Sequence, residues 1–200
     1  VKSDFELVKQ MGLKETGILT SVSDYHIFLK LKWTRRQAME NYLKIVRAAL
    51  DNGIIPRCHF EDITRADIYG FVIPFARELM KLAKEYNSPV KIRACDTMGY
   101  GIAIAGSALP RNTHGIIYGL NKHAEVPSEW LEWHGHNDFY RGLTNASHSW
   151  LYGCSAANGA WLGIGERTGN TPIEALIIEY LSLRGRTGKE NLDTRVITEI

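Results

Sequence analysis

The sequence predicts an α/β fold made of successive βα units, with an eight-stranded barrel as its parent architecture and five of the strands in this chain. Three observations predict it. Apolar, β-branched stretches begin near Thr16, Ile54, Val90, Trp130 and Ala156, and most lead into a helical pattern or a loop that reaches one. The phosphate fingerprint of a dinucleotide-binding sheet is missing, because Gly163, Gly165 and Gly169 stand at the wrong intervals. Chemically competent residues gather just past the strand ends, at Glu61, at Asp96 and Thr97, at His134 and His136, and at Gly165 to Arg167, where barrel enzymes collect their chemistry.

Taken in order, Val1 to Leu13 reads as a helix ahead of the first strand. Thr34-Arg35-Arg36-Gln37 is a capping box, in which hydroxyl and amide side chains satisfy early backbone donors reciprocally. Behind it Ala38, Tyr42, Ile45, Val46 and Ala49 recur on one helical face, and Asn52-Gly53 offers a left-handed stop before the strand Ile54 to Phe60. Thr64-Arg65-Ala66-Asp67 is expected to open the next helix, running toward Asn87 with Pro74 as a kink or a late start. Between Met98 and Val126, glycines and Pro110 break every long period, which predicts a loop and a short helix ending near Lys122. Leu131 to Asp138 reads as a strand. Thr171-Pro172-Ile173-Glu174 then combines a threonine cap with proline at the first helical position, and the helix should continue to about Leu183.

The 200 residues are 44% hydrophobic and 23% charged, enough for one globular domain with a sizeable core. The net charge of +2 comes from 24 basic and 22 acidic side chains that intermingle, so no basic stripe marks a nucleic-acid partner. No apolar run long enough for a membrane span occurs, and the start lacks the charged-then-apolar pattern of a signal peptide, so a soluble, cytoplasmic protein is expected. Cys58, Cys95 and Cys154 are odd in number and widely spaced, which predicts buried reduced thiols in place of disulfides or a zinc knuckle.

The most informative segment is His134-Gly135-His136-Asn137-Asp138. On a strand, alternation puts His134 and His136 on one face, where two imidazoles can grip one divalent ion. Spacing also nominates Asp138 as a third ligand, or as an acceptor that holds an imidazole tautomer. Glu61 stands at a strand end beside Asp62 and near Arg57 and Arg65. Thr97 brings a hydroxyl to a strand tip, although Asp-Thr before glycine is also ordinary turn composition. Glu166 and Arg167 lie between glycines that let a loop close on a ligand or on a neighbouring loop. His26 is a candidate for pocket lining. Of Trp130 and Trp133, opposite parity allows at most one to face the barrel interior.

Five motifs together resemble a known family: Ser21-Val22-Ser23-Asp24-Tyr25-His26, Phe60-Glu61-Asp62-Ile63-Thr64-Arg65, Asp96-Thr97-Met98-Gly99, His134 to Asp138, and Gly163-Ile164-Gly165-Glu166-Arg167-Thr168-Gly169-Asn170. The chain is similar to the α-isopropylmalate, homocitrate and (Re)-citrate synthases, which share a metal-dependent TIM barrel with hydroxymethylglutaryl-CoA lyase. The resemblance implies strands four to eight of that barrel, with strands one to three outside this chain. It also implies that His134 and His136 are metal ligands, that Asn170 lies near the metal, and that Glu61 and Thr97 line a pocket for an α-keto acid and an acetyl group. The third protein ligand of the family is an aspartate on the first strand, so Asp138 is assigned a supporting role. No Arg-Asp-Gly or Arg-Glu-Gly segment occurs near the start to supply that aspartate.

The implied reaction is condensation of acetyl-CoA with an α-keto acid (2-oxoglutarate, oxaloacetate or 2-oxoisovalerate) on a divalent ion (Zn, Mn, Mg or Co), followed by thioester hydrolysis. His26 and Glu61 are the candidates for the base, and Arg167 is a further catalytic candidate. A homodimer is implied by resemblance only. Two other readings stand beside this one. A hydroxymethylglutaryl-CoA-lyase-like retro-aldol enzyme would share the metal site but carries a cysteine in the loop where Glu166-Arg167 stands. A non-catalytic metal-binding subunit is the reading outside enzymes.

Overall fold

The computed structural model describes residues 2–185 together with Asp193, Arg195 and Ile197. Its strands are β1 (Glu15–Ser21), β2 (Ile55–Glu61), β3 (Lys91–Asp96), β4 (Leu131–Gly135) and β5 (Ala156–Asn158), all parallel, in the order β1-β2-β3-β4-β5. The helices are α1 (Lys2–Gln10), α2 (Arg35–Asp51), α3 (Ile73–Tyr86), α4 (Thr113–Tyr118), α5 (Gly142–Leu151) and α6 (Ile173–Arg184). Strand order follows chain order without reversal. A doubly wound sheet reverses at its ligand-binding crevice, whereas a barrel wall adds each βα unit beside the last, so this sheet is a sector of a barrel.

Period-two alternation sorts the side chains onto two faces. Ile18, Cys58, Phe60, Ile92, Ala94, Leu131 and Trp133 are buried on the helix-covered face. There Phe60 stacks on Phe75 of α3 with ring centroids 5.1 Å apart, and Tyr42 of α2 lies 5.7 Å from Phe75. Truncating Phe60 to alanine would cost about 3–5 kcal/mol. The Tyr42 hydroxyl donates to the Ser21 carbonyl at 3.1 Å, tying α2 to the end of β1 where the site begins.

The other face is polar. Glu15 pairs with Arg57 and with Lys91 (2.7 Å), and Glu132 pairs with Arg93 (2.7 Å) and, off the hydrogen-bonding direction, with Arg57 Nε (3.1 Å). Register then lines up Ser21, Glu61, Cys95, His134 and Asn158 in one row across all five strands.

The Thr34/Gln37 capping box forms as expected, with the Gln37 amide donating to the Thr34 hydroxyl at 3.2 Å and the Thr34 amide donating back to Gln37 at 2.8 Å. Three expectations are corrected. Thr64 does not open a helix: the chain makes one tight turn over Ile63–Arg65 and a wide turn over Ile68–Val72, and α3 starts at Ile73 with Pro74 in its first turn. The reason is that the Thr64 hydroxyl is engaged by Asp96 (2.7 Å), while Asp67 caps Gly70. Strand β4 ends at Gly135, short of Asp138, because His136 leaves the ladder to bridge Asn170 in the opposite sense. Thr171 does not cap α6 either: it is fully buried against the Gly135 carbonyl, Pro172 takes the cap position, and Glu174 accepts from the Leu162 amide at 3.0 Å. The helix expected over Val1 to Leu13 is present as α1, and Val1 lies outside the described residues.

The three cysteines are free and buried. Burial pushes the thiols of Cys58 and Cys154 up to about 12. Trp133 packs on the helix side and Trp130 ends the short turn before β4, so neither indole competes for the polar face. Among the described residues no helix is long and apolar enough to cross a membrane.

Candidate active site at the C-terminal strand ends

The alternation of β4 sends His134 to the polar face, and the bridge from His136 to Asn170 brings the second imidazole beside it. The two rings stand 5.1 Å apart, centroid to centroid, at 82°. Asn158 Oδ1 lies 2.7 Å from His134 Nδ1. An amide oxygen only accepts, so Nδ1 carries the proton and Nε2 keeps a free lone pair, the arrangement that neighbours of metal-binding histidines impose. Burial lowers the pKa of both imidazoles, and the Arg167 charge lowers that of His136 further. Both rings are thereby held neutral, the form that binds metal.

The loop Gly163 to Asn170 is shaped by close approach. A Cβ on Gly165 would fall 1.8 Å from Asn170 Oδ1, and one on Gly169 would fall 2.2 Å from the Gly163 carbonyl, so these glycines let Asn170 fold inward under His136. Arg167, in the left-handed region at φ 54°, turns back over the site. Its guanidinium grips both oxygens of Asp138 (2.8 and 3.0 Å), the Thr97 carbonyl (2.6 Å) and His136 Nδ1 (2.8 Å), and pairs with Glu166 at 3.2 Å. Asp138 thus holds Arg167, and the hydrogen bond lowers the carboxyl pKa.

A second cluster surrounds Glu61. The Ser21 hydroxyl donates to Glu61 Oε2 at 2.7 Å and lies 3.3 Å from His26 Nδ1, joining the two sequence candidates for a base through one hydroxyl. Behind them Asp62, fully buried and in the left-handed region at φ 62°, accepts from Ser23 and from Arg65, with His26 Nε2 3.9 Å away. The Asp62 amide donates to the Thr97 hydroxyl at 2.7 Å. Thr97 therefore ties the β2 and β3 loops together as well as facing the site. Asp96 is a turn residue: it is fully buried, accepts from Thr64, Tyr100 and Gly101, and burial pushes its pKa up to about 6.

Every residue singled out from sequence falls at this end of the sheet, in two groups: His134, His136, Asn170 and Arg167, and His26 with Glu61. Thr97 touches both groups. Ser21, Asp62 and Asn158 complete them. Ser21 stood in a recognised motif without a role. Asn158 carried no sequence signal, because β5 is only three residues long.

Two imidazoles with a free Nε2 on His134 fit one edge of a divalent-ion site in donor type and protonation. Among the described residues, no group of three or more His, Cys, Asp or Glu side chains converges to complete a ligand set.

The HMGL-like family model matches residues 1–200. The chain is 64% identical over 199 residues to a citrate (Re)-synthase of Syntrophus aciditrophicus, covering 100% of this chain and 31% of that protein. It is 60% identical over 199 residues to a citrate (Re)-synthase of Clostridium kluyveri, covering 100% of this chain and 44% of the relative. A 2-phosphinomethylmalate synthase of Streptomyces hygroscopicus is 40% identical over 185 residues, or 91% of this chain and 42% of that one. This chain therefore spans less than half the length of each of these relatives. In fold it matches the crystal structure of hydroxymethylglutaryl-CoA lyase from Pseudomonas aeruginosa at a TM-score of 0.75 and 21% identity, over 98% of this chain and 64% of the lyase. A match along the whole chain, over a sheet ordered as a barrel wall and carrying the paired imidazoles, places the chain in the HMGL-like family.

Proposed function

We propose that this chain is the part of a metal-dependent acyltransferase, strands four to eight of its barrel, that condenses acetyl-CoA with an α-keto acid and hydrolyses the thioester. Oxaloacetate is the keto acid we favour, because the two relatives at 64% and 60% identity are citrate (Re)-synthases. The reading extends to a cytoplasmic homodimer. The observation that carries it is the side-by-side imidazole pair with Asn158 fixing the His134 tautomer.

His134 and His136 would hold the divalent ion, with Asn170 beside them. When bound, such an ion supplies Lewis-acid polarisation of a carbonyl. The chain's own groups do the rest. His26 Nδ1 faces the Ser21 hydroxyl, which is itself committed to Glu61, so the imidazole is held with Nε2 as the proton acceptor. That nitrogen is the group we assign to take the acetyl methyl proton, with Glu61 orienting it through Ser21. Thr97 positions the β2 and β3 loops around the keto acid. Arg167 clamps its loop over the pocket and restricts water.

The protein should release CoA from acetyl-CoA only when both oxaloacetate and a divalent ion are present. His134→Ala and His136→Ala should abolish metal retention and turnover together, and Asn158→Ala should weaken metal binding about 10–100-fold. Undiminished metal binding in the double histidine variant would overturn the assignment.

A further inference from the structure

The segment that carries His26 is weakly held by packing. It forms a wide turn over Tyr25–Lys30 in which only Ile27 is buried, while Tyr25, Phe28 and Leu29 stand exposed. Lys32, in the left-handed region at φ 58°, turns the chain back toward α2. With so little apolar area buried, a segment of this kind opens at low free energy unless polar contacts fix it. One such contact is the Ser23 hydroxyl, which accepts from the His26 amide at 3.3 Å. The other is a clamp of charges.

Arg35, the first residue of α2, closes that clamp. Its Nε and Nη2 donate to the two oxygens of Asp24 at 2.8 and 2.7 Å, and its Nη1 donates to Asp67 Oδ2 at 2.9 Å. Asp24 stands two residues before His26, and Asp67 belongs to the loop that follows β2 and starts with Asp62. One planar guanidinium therefore fixes the β1 loop, the start of α2 and the β2 loop in a single arrangement. A two-pronged contact of this kind dictates direction as well as distance, which an ammonium cannot do. Gly70 makes room for it: the Gly70 amide donates to Asp67 Oδ1 at 2.8 Å, and an added Cβ would overlap Asp67 Oδ2 and lie 3.0 Å from Arg35 Nη1. The side chains of Arg35, Asp24 and Asp67 are 34%, 40% and 46% exposed, so these ion pairs add little to stability. What they supply is position.

We infer that Arg35 is a positioning residue for His26, holding the imidazole between Ser21 and Asp62 through its grip on Asp24 and Asp67. His26 Nδ1 lies 3.3 Å from the Ser21 hydroxyl and Nε2 lies 3.9 Å from Asp62 Oδ2, so a small swing of the loop breaks both relationships. The inference rests on the synthase reading above, in which His26 takes the acetyl methyl proton.

The test uses the metal-loaded protein, with turnover of acetyl-CoA, turnover of acetyl-CoA deuterated at the methyl group, and the His26 ring signal in NMR. Arg35→Ala should melt within a few degrees of the parent and bind the divalent ion unchanged. Its kcat should fall by up to about a hundredfold with KM for the keto acid unchanged, and its deuterium isotope effect should rise, because proton removal becomes the slow step. Arg35→Lys should recover part of the loss, and added guanidinium chloride should raise the rate of Arg35→Ala without raising that of the parent. Asp24→Asn should add no further loss to Arg35→Ala, since both act through one contact. The His26 signal should move or broaden in Arg35→Ala. A fall in kcat with an unchanged isotope effect and an unmoved His26 signal marks a merely structural role and overturns the inference, as does full activity in Arg35→Ala. If the parent releases no CoA with any keto acid, the synthase reading falls and the His26 signal alone decides. Moved in Arg35→Ala, it leaves the positioning role standing; unmoved, it overturns that role as well.

Discussion

Arg167 Nη2 donates to His136 Nδ1 at 2.8 Å. A guanidinium has no acceptor, so Nδ1 accepts and the His136 proton resides on Nε2, the opposite tautomer to that of His134. Entry of a divalent ion at His136 therefore requires Arg167 to leave Nδ1, either to bare that nitrogen for the ion or to let the ring proton move there from Nε2. Replacing Arg167 by leucine removes both the hydrogen bond and a positive charge beside the site. Affinity for Mn or Zn should rise, by up to about tenfold for one partly screened charge. Turnover should fall by about a hundredfold, because the loop loses its anchors on Asp138 and Thr97. Calorimetric titration of the metal alongside the CoA-release rate checks both halves, and weaker metal binding in the variant would contradict this account.

Gly165 and Gly169 should fail differently. At Gly165 an alanine Cβ clashes with the side chain of Asn170, which can rotate away, and meets the Asn170 backbone nitrogen only at an ordinary 3.5 Å. Gly165→Ala should keep the melting temperature within a few degrees of the parent while displacing Asn170 and reducing metal affinity and turnover. At Gly169 the backbone has φ +105° and a Cβ would strike the Gly163 carbonyl. Gly169→Ala should destabilise by about 1–3 kcal/mol through backbone strain. Thermal melts read with metal titrations separate the two.

Acid should destabilise the fold through His59. Its Nε2 is buried without a partner, and burial, followed by the charges of Arg93 and Arg57, pushes its pKa from 6.5 down to about 4. Between those values the unfolded chain holds the extra proton, so the contribution is complete above pH 6.5 and is lost as pH falls toward 4. Its upper bound is about 3 kcal/mol, reduced by solvent reaching the half-buried ring. Asp96 acts in the opposite sense, since its folded carboxyl keeps a proton up to about pH 6 against 3.8 when unfolded. The stability difference between the parent and His59→Gln, measured by urea unfolding from pH 7.5 to 4.5, isolates the histidine. The parent should lose more stability on acidification than the variant, and parallel curves would refute the assignment.

The sheet and most of its helices were legible because alternation and capping are local signals: His134 falls on the polar face for the same reason that Phe60 and Cys58 share the other. What escaped was non-local. Thr64 and Thr171 carry the residue types of helix caps, yet each hydroxyl is claimed by a distant group, Asp96 in one case and the Gly135 carbonyl in the other. Asp138 fits a ligand by spacing, and only the return of Arg167 from the final loop shows what it holds. Asn158 became readable only once β5 was paired with β4.

The five residues Ser21, Glu61, Cys95, His134 and Asn158 share a level only while each strand keeps its phase with its neighbours. Deleting or inserting a single codon inside β4 would turn Trp133 toward the reactants and bury an imidazole beneath α5. Length variation in this protein is thus tolerable in the turns and lethal to chemistry within the strands, even where the altered polypeptide still folds.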